Sequence, residues 1–331
     1  MVIIMQPGAG DAEIQGVVER IKGYGMDAHI SRGKERTIIG IIGDEREIDF
    51  DSIAALSGVE RAIPILKPYK FVSRNVHPAD TIIDVGGVKI GRELAFMAGP
   101  CSVEEEDTTL RIAQAVQDAG AQFFRGGAFK PRTSVWSFQG LREKGLEILS
   151  KVRAATGMPI VTEIMDAADI SLVGEHTDIF QVGMRNMRNY TLLIELGKAR
   201  KPVLLKRGDS SKLEEWLAAA DYIVRGGNEN VILCERGIRT FEDYTRNTLD
   251  LNAVCGAKSE CCLPIFVDPS HGTGRSEMVL PMSKAAVACG ADGLLLEVHV
   301  DPKKAWSDGK QTITPEALKE LIVQCRRMRQ T

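Results

Sequence analysis

Pro202-Val203-Leu204-Leu205-Lys206 is a short apolar run ending in a charge. A helical stretch over 212–224 follows it, and Val231-Ile232-Leu233-Cys234-Glu235 then repeats the pattern. A continuous apolar run of this length reads as a strand buried on both faces, and a helix between two such runs is the mark of parallel strands joined by crossovers. Outward from this stretch the same theme recurs at 94–98, 122–125, 159–163, 178–182, 264–268 and 293–298. Helical spacing is found at 104–119, 141–155, 166–173, 190–198, 243–255, 277–289 and 314–329. Eight such units predict an α/β fold, a (β/α)8 TIM barrel over 81–331. An open doubly wound sheet is the rival, but eight regular units without a dinucleotide glycine fingerprint favour closure.

The first 67 residues follow another plan. A strand at 1–5 and a helix at 11–24, with Ile14, Val17, Val18 and Ile21 on one face, lead to strands at 27–31 and 36–42 joined by a turn at Gly33. A short helix near 48–55 and a strand at 59–65 complete a β-α-β-β-α-β order, the ferredoxin-like arrangement. Residues 68–80, punctuated by Pro68 and Pro78, read as a linker, and 81–90, with Gly86-Gly87 at its turn, as a hairpin that could cap the barrel bottom.

Bulk properties exclude several classes. With 44% hydrophobic residues and a net charge of −3, the chain has core material and no global basic field for nucleic acid or an anionic membrane. No apolar run reaches the roughly 18 residues a membrane helix needs. The amino terminus lacks a signal-type core, and seven cysteines, scattered apart from Cys261-Cys262, do not form a disulfide framework. The composition reads as reduced and cytoplasmic.

Barrel active sites form at the carboxyl ends of the strands. Those ends carry Cys101, Arg125, Glu163, Arg185, Lys206, Arg236, His271 and Glu297. Any one of them reads equally well as a solvated charge; the whole ring does not. One part is cationic: Arg125, Lys130, Arg132, Arg185, Lys206 and Arg236 suit a substrate with several carboxylate or phosphate charges. The other is a candidate divalent-metal set of Cys101, His271, Glu297 and Asp308, since closure makes the eighth strand a neighbour of the first. Thiolate, imidazole and two carboxylates suit Mn, Fe, Co or Zn better than Mg or Ca. His299 shares the alternation parity of Glu297 and is either a rival ligand or a core histidine; Cys261 and Cys262 read as structural. The segment 270–275, glycine-rich and ahead of a helix, is either a phosphate cradle or a plain chain reversal.

Five motifs now carry a resemblance: Ala98-Gly99-Pro100-Cys101-Ser102, Lys130-Pro131-Arg132-Thr133-Ser134, Leu205-Lys206-Arg207-Gly208, Cys234-Glu235-Arg236-Gly237 and Val267-Asp268-Pro269-Ser270-His271-Gly272. In this order they closely resemble 3-deoxy-D-arabino-heptulosonate 7-phosphate (DAHP) synthases, in the Iβ-type branch with an amino-terminal ferredoxin-like regulatory module. The likeness covers essentially the whole chain. The sister synthases, which make 3-deoxy-D-manno-octulosonate 8-phosphate from arabinose 5-phosphate, typically read Lys-Ala-Asn-Arg-Ser after the second strand. The Lys130-Pro131-Arg132-Thr133-Ser134 found here favours erythrose 4-phosphate.

The resemblance implies that Cys101, His271, Glu297 and Asp308 hold one divalent metal, with Mn the expected ion in vitro, acting as a Lewis acid on the sugar aldehyde. It implies phosphoenolpyruvate held at its carboxylate by Arg125 and Lys130 and at its phosphate by Arg185, Lys206 and Arg236. Arg132, Thr133 and Ser134 would take the sugar phosphate, which moves that role away from 270–275. Lys130 would protonate the developing alkoxide and Glu163 or Glu235 would orient the water. Met184, where the family pattern leads one to expect alanine, is a small departure. The family further implies a homotetramer of the first shikimate-pathway enzyme, with tyrosine or phenylalanine as feedback effector; His29 and Ser31 are candidate contacts. Rival readings are the arabinose 5-phosphate synthase, a Schiff-base aldolase using Lys206, and a catalytically silent amino-acid sensor.

Overall fold

The computed structural model describes residues 1–33, 36–43, 48–63, 67–131, 134 and 136–330. They fall into two compact units, Met1–Pro68 and Tyr69–Thr331.

The first unit contains β1 (Val2–Met5), α1 (Asp11–Gly23), β2 (Asp27–Arg32), β3 (Thr37–Ile42), α2 (Phe50–Ala54) and β4 (Val59–Ile63). The strands form an antiparallel sheet in the order β2-β3-β1-β4, as a ferredoxin-like module requires. Its core follows from periodicity: Ile3 and Met5 of β1 and Ile39 of β3 face Ile14, Val17, Val18 and Ile21 of α1 and Ile53 of α2. Asp49 starts α2, its side chain accepting from the amides of Asp51 and Ser52. On β2, His29 and Ser31 sit opposite Gly40 and Ile38 of β3, on the sheet face away from Ile39.

The second unit begins earlier than its sequence suggests. Residues 69–80 are not a free linker: Tyr69 and Val72 are buried in the barrel's outer core, and Asp221 accepts from the amides of Lys70 and Val72. The prolines stop regular structure there, yet tertiary hydrogen bonds still fix the segment. The hairpin β5 (Ile83–Val85) and β6 (Val88–Ile90) forms as expected. Ile83, Val85 and Ile90 share one cluster with Met97, Phe123, Val161, Leu204, Ile232 and Leu295. Gly86 and Gly91 of this hairpin lie against Pro159 and Pro264, which precede strands, so the hairpin plugs the barrel from the amino ends.

The barrel strands are β7 (Ala95–Gly99), β8 (Phe123–Arg125), β9 (Ile160–Ile164), β10 (Ile179–Val182), β11 (Val203–Lys206), β12 (Val231–Glu235), β13 (Ile265–Val267) and β14 (Gly293–Glu297). All pairs are parallel and β14 closes on β7, with Glu297 opposite Gly99. Helices α3 (Glu106–Asp118), α4 (Glu143–Thr156), α5 (Ile170–His176), α6 (Tyr190–Lys198) and α7 (Leu213–Arg225) alternate with the earlier strands. After them come α8 (Leu251–Glu260), α9 (Pro269–Thr273), α10 (Ser276–Ala288) and α11 (Pro315–Gln330). The α7 register is fixed by Trp216, buried completely, whose indole donates to the Leu205 carbonyl of β11 at 3.1 Å. Inside the barrel Phe266 occupies the space beside Gly293, where a β-carbon would collide with its ring. The helix expected over 243–255 starts only at Leu251, because 243–250 spend their backbone groups elsewhere: Thr248 pairs with Ile238, and Arg246 and Asn247 donate to Thr273 and Gly272.

Candidate active site

Parallel pairing brings all eight carboxyl ends to one face. A cleft there is lined by Arg125, Lys130, Arg185, Lys206, Arg236 and Arg246, together with Glu163, Gln181, His271 and Asp308. Five of the six cations anticipated from the sequence are thus assembled; Arg132 lies outside the described residues, as does Thr133, and Ser134 is exposed on the same loop. Arg246 was not anticipated. It belongs to 243–250, which looked helical and so offered no strand-end signal.

The cations are not equivalent. Lys206, at the end of β11, is neutralised by Asp268, whose Oδ2 lies 2.8 Å from its Nζ. Arg125, at the end of β8, donates to the Pro100 carbonyl and lies 3.4 Å from Glu297 Oε1. Burial works against its charge, and Glu297 leads the neighbouring acids that outweigh this and raise its pKa. Arg236, just past β12, is shifted downward by burial, with Arg246 adding like-charge repulsion against the pull of Asp268. Two buried donors, Arg125 Nε and Arg236 Nη1, have no hydrogen-bond partner among the described residues. Buried guanidinium N–H groups are rarely left so, and both belong to residues lining the cleft.

Below this cationic wall lies the donor cluster. Cys101, two residues past β7, His271 in α9, Glu297 at the end of β14 and Asp308 beyond it each offer one ligand atom, all within 4.8 Å of one another. His271 Nε2 is 3.3 Å from Glu297 Oε1, and Cys101 Sγ donates to Asp308 Oδ2 at 2.9 Å. Asp268 takes His271 Nδ1 at 2.7 Å, which leaves Nε2 for the cluster. Burial holds the imidazole below its usual pKa, favouring the neutral ligating form. Burial and then the Glu297 carboxylate push the Cys101 thiol up to about 12, a cost that a bound divalent cation would reverse. In donor type, convergence and orientation, the four residues fit a divalent transition metal.

Glu163 and Glu235 take different places. Glu163, in β9, lines the cleft, with Gln181 Nε2 donating to its Oε2 at 3.4 Å. Glu235 is fully buried and absent from the cleft lining. Its carboxylate accepts from Arg207 Nη1 at 3.0 Å and from the Gly237 amide at 2.6 Å, so it braces the strand end instead of facing solvent. His299 is a core histidine: its Nε2 is 3.2 Å from Glu104, and its Nδ1 accepts from the Asp301 amide. The 270–275 segment is a chain reversal. The amino end of the short α9 is already occupied by Asp268, which accepts from the His271 amide, and Gly274 closes the turn in the left-handed region.

Fold and site together define the class: a (β/α)8-barrel enzyme with a cationic cleft beside a cluster of donor side chains at the strand carboxyl ends. The DAHP synthetase I family matches over residues 75–331, and the DAHP synthase ferredoxin-like domain over residues 1–67. A phospho-2-dehydro-3-deoxyheptonate aldolase of Thermotoga maritima is 49% identical over 329 residues, covering 99% of this chain and 97% of its own. The crystal structure of a Thermotoga maritima DAHP synthase superposes with a TM-score of 0.95 at 49% identity, covering 99% of this chain and 96% of the other. A 2-dehydro-3-deoxyphosphooctonate aldolase of Syntrophotalea carbinolica is more distant, at 33% identity over 69% of this chain and 88% of its own. The chain belongs to the DAHP synthetase I family.

Proposed function

We propose that the chain condenses phosphoenolpyruvate with erythrose 4-phosphate, releasing inorganic phosphate and forming DAHP. The observation that carries this reading is the pair of buried donors, Arg125 Nε and Arg236 Nη1, without a partner among the described residues, in a cleft lined by six cations. Such donors call for an anion with more than one charged end, as phosphoenolpyruvate has. Arg125 and Lys130 hold its carboxylate; Arg185, Lys206 and Arg236 surround its phosphate. Lys130-Pro131-Arg132-Thr133 and the 49% identical relative favour the four-carbon sugar, with Arg132, Thr133 and Ser134 at its phosphate.

Cys101, His271, Glu297 and Asp308 would hold a divalent metal, which would supply Lewis acidity toward the sugar aldehyde. The cation clamp aligns C3 of phosphoenolpyruvate with that carbonyl carbon, and a carbon–carbon bond forms as C2 becomes electron-poor. Lys130 Nζ, 3.0 Å from Cys101 Sγ, stands between cleft and cluster and delivers a proton to the developing alkoxide. Glu163 orients a water and takes its proton as oxygen adds at C2; the bond from C2 to the phosphate oxygen then breaks while the new C2 hydroxyl gives its proton to the departing phosphate, which leaves the keto acid. Glu235 has no direct part, because its carboxylate is spent on Arg207 and the Gly237 amide.

The ferredoxin-like unit is the effector module, with His29 and Ser31 at the site of tyrosine or phenylalanine, and the working form is a homotetramer in the cytoplasm. Seven free cysteines suit a reducing compartment, and among the described residues no helix is long and apolar enough to cross a membrane.

The test is phosphate release from phosphoenolpyruvate with Mn2+, comparing erythrose 4-phosphate with arabinose 5-phosphate, with and without EDTA. EDTA-sensitive turnover of the four-carbon sugar is the expected result. Preference for arabinose 5-phosphate, or inactivation by borohydride through Lys206, overturns it.

A further inference from the structure

Each carboxylate of the donor cluster has its outer oxygen fastened by a residue outside the cluster. Glu297 Oε1 lies toward His271, while its Oε2 accepts from Gln311 Nε2 at 2.5 Å. Asp308 Oδ2 lies toward Cys101, while its Oδ1 accepts from Arg246 Nη1 at 3.0 Å. The same Arg246 Nη1 donates to Gln311 Oε1 at 3.1 Å, so one guanidinium and one amide join the two carboxylates. Chemistry fixes the direction of that amide: a guanidinium only donates and a carboxylate only accepts, so Gln311 must turn its oxygen to Arg246 and its nitrogen to Glu297.

The backbone supports the arrangement. Asp308 and Gln311 share one tight turn, with Asp308 in the left-handed region at φ 54° and Thr312 Oγ1 donating to its carbonyl at 3.0 Å. Gln311 is buried, so its amide must be paired. Arg246 comes from the loop after β12 and is stitched to α9, its amide donating to Thr273 while Asn247 Nδ2 donates to the His271 carbonyl.

We propose that Arg246 and Gln311 are a positioning pair that holds the Glu297 and Asp308 carboxylates in their metal-binding orientation, so that metal affinity depends on the loop after β12. This rests on the metal reading above and adds two residues that do not themselves ligate. The rival role for Arg246, which lines the cleft, is a direct contact to substrate phosphate.

The experiment is titration of the metal-free full chain with Mn2+ by calorimetry, without substrate, in the parent, Gln311→Ala, Arg246→Ala and the double variant. Phosphoenolpyruvate binding is measured on the same samples without metal. Outer partners of this kind are worth about 10–100-fold in metal affinity, so each single variant is expected to weaken Mn2+ by that factor. Because the pair acts as one bridge, the double variant is expected to bind Mn2+ about as weakly as the weaker single, and Gln311→Ala, whose side chain does not line the cleft, is expected to retain phosphoenolpyruvate binding. Unchanged Mn2+ affinity in either single variant overturns the proposal, as do single effects that multiply in the double. Loss of phosphoenolpyruvate binding along with Mn2+ in Gln311→Ala also overturns it, by showing general damage to the cleft. A parent that binds phosphoenolpyruvate but no Mn2+ sinks the metal reading and this pair with it; a parent that binds neither sinks the proposed reaction.

Discussion

Asp268 and His271 share a hydrogen bond of 2.7 Å, and that bond decides which ring nitrogen faces the donor cluster. The same Asp268 oxygen lies 2.8 Å from Lys206 Nζ, so one buried carboxylate both orients the His271 ring and neutralises a cation of the cleft. Removing one partner of such a buried pair costs about 3–5 kcal/mol, since the other charge stays behind without compensation. Asp268→Asn is therefore expected to lower stability by about that amount and Mn2+ affinity by about 10–100-fold. Urea unfolding and Mn2+ titration read the two effects separately. A variant with parental Mn2+ affinity would remove Asp268 from the metal site.

Arg236 Nη1 is buried without a hydrogen-bond partner among the described residues, so a substrate anion gains a charge-assisted hydrogen bond there. Such bonds are worth about 1.5–3 kcal/mol. Arg236→Ala is expected to raise the KM for phosphoenolpyruvate about 10–100-fold while the KM for the sugar phosphate changes little. Steady-state kinetics with each substrate varied in turn checks this, and an effect confined to the sugar would reassign the residue.

The sequence makes the barrel legible because both of its periodicities are regular: apolar runs such as Val203–Lys206 recur, each followed by an amphipathic helix such as Leu213–Arg225. Closure then does what spacing cannot, placing Glu297 opposite Gly99, two residues from Cys101. What the pattern hides is identity by partner. Asp268 sits inside a motif already singled out, yet only packing shows its oxygen between His271 and Lys206. Glu235 carries the same strand-end signal as Glu163, and only Arg207 and the Gly237 amide reveal that its carboxylate is spent away from the cleft, on the strand face opposite Ile232 and Cys234. Arg246 is concealed because 243–250 has helical spacing while its backbone bonds run to Ile238, Gly272 and Thr273.

On the ferredoxin-like unit, His29 and Ser31 are exposed on the edge strand β2, beside Gly40 and Ile38 of β3. A polar pair next to an apolar sheet surface suits an amphipathic amino acid, whose ring and polar ends need both. His29→Ala and Ser31→Ala are each expected to weaken inhibition by tyrosine or phenylalanine about tenfold, equivalent to about 1.4 kcal/mol, with kcat unchanged. Inhibition curves at fixed substrate measure it. Parental inhibition in both variants would move the effector site elsewhere.

Gly183 stands at the carboxyl end of β10 with φ −68° and ψ 160°, a conformation open to any residue, so its backbone does not demand glycine. The demand comes from Glu163: a β-carbon at position 183 would overlap Glu163 Oε1 and approach its Cδ to 2.9 Å. Gly183→Ala therefore tests the position of the Glu163 carboxylate without altering its chemistry. Because the backbone tolerates alanine, the fold is expected to survive, with the carboxylate displaced from the position proposed for orienting the water. A displacement of this order can cost about 10²-fold in rate. The expected result is a fall in kcat of that size, with Mn2+ affinity and the KM for phosphoenolpyruvate close to parental. The control is Glu163→Gln, which keeps the shape and removes the base, and its kcat is expected to fall by at least as much. If Gly183→Ala keeps full kcat, the position of Glu163 is unimportant to water addition, and that role passes to another group in the cleft.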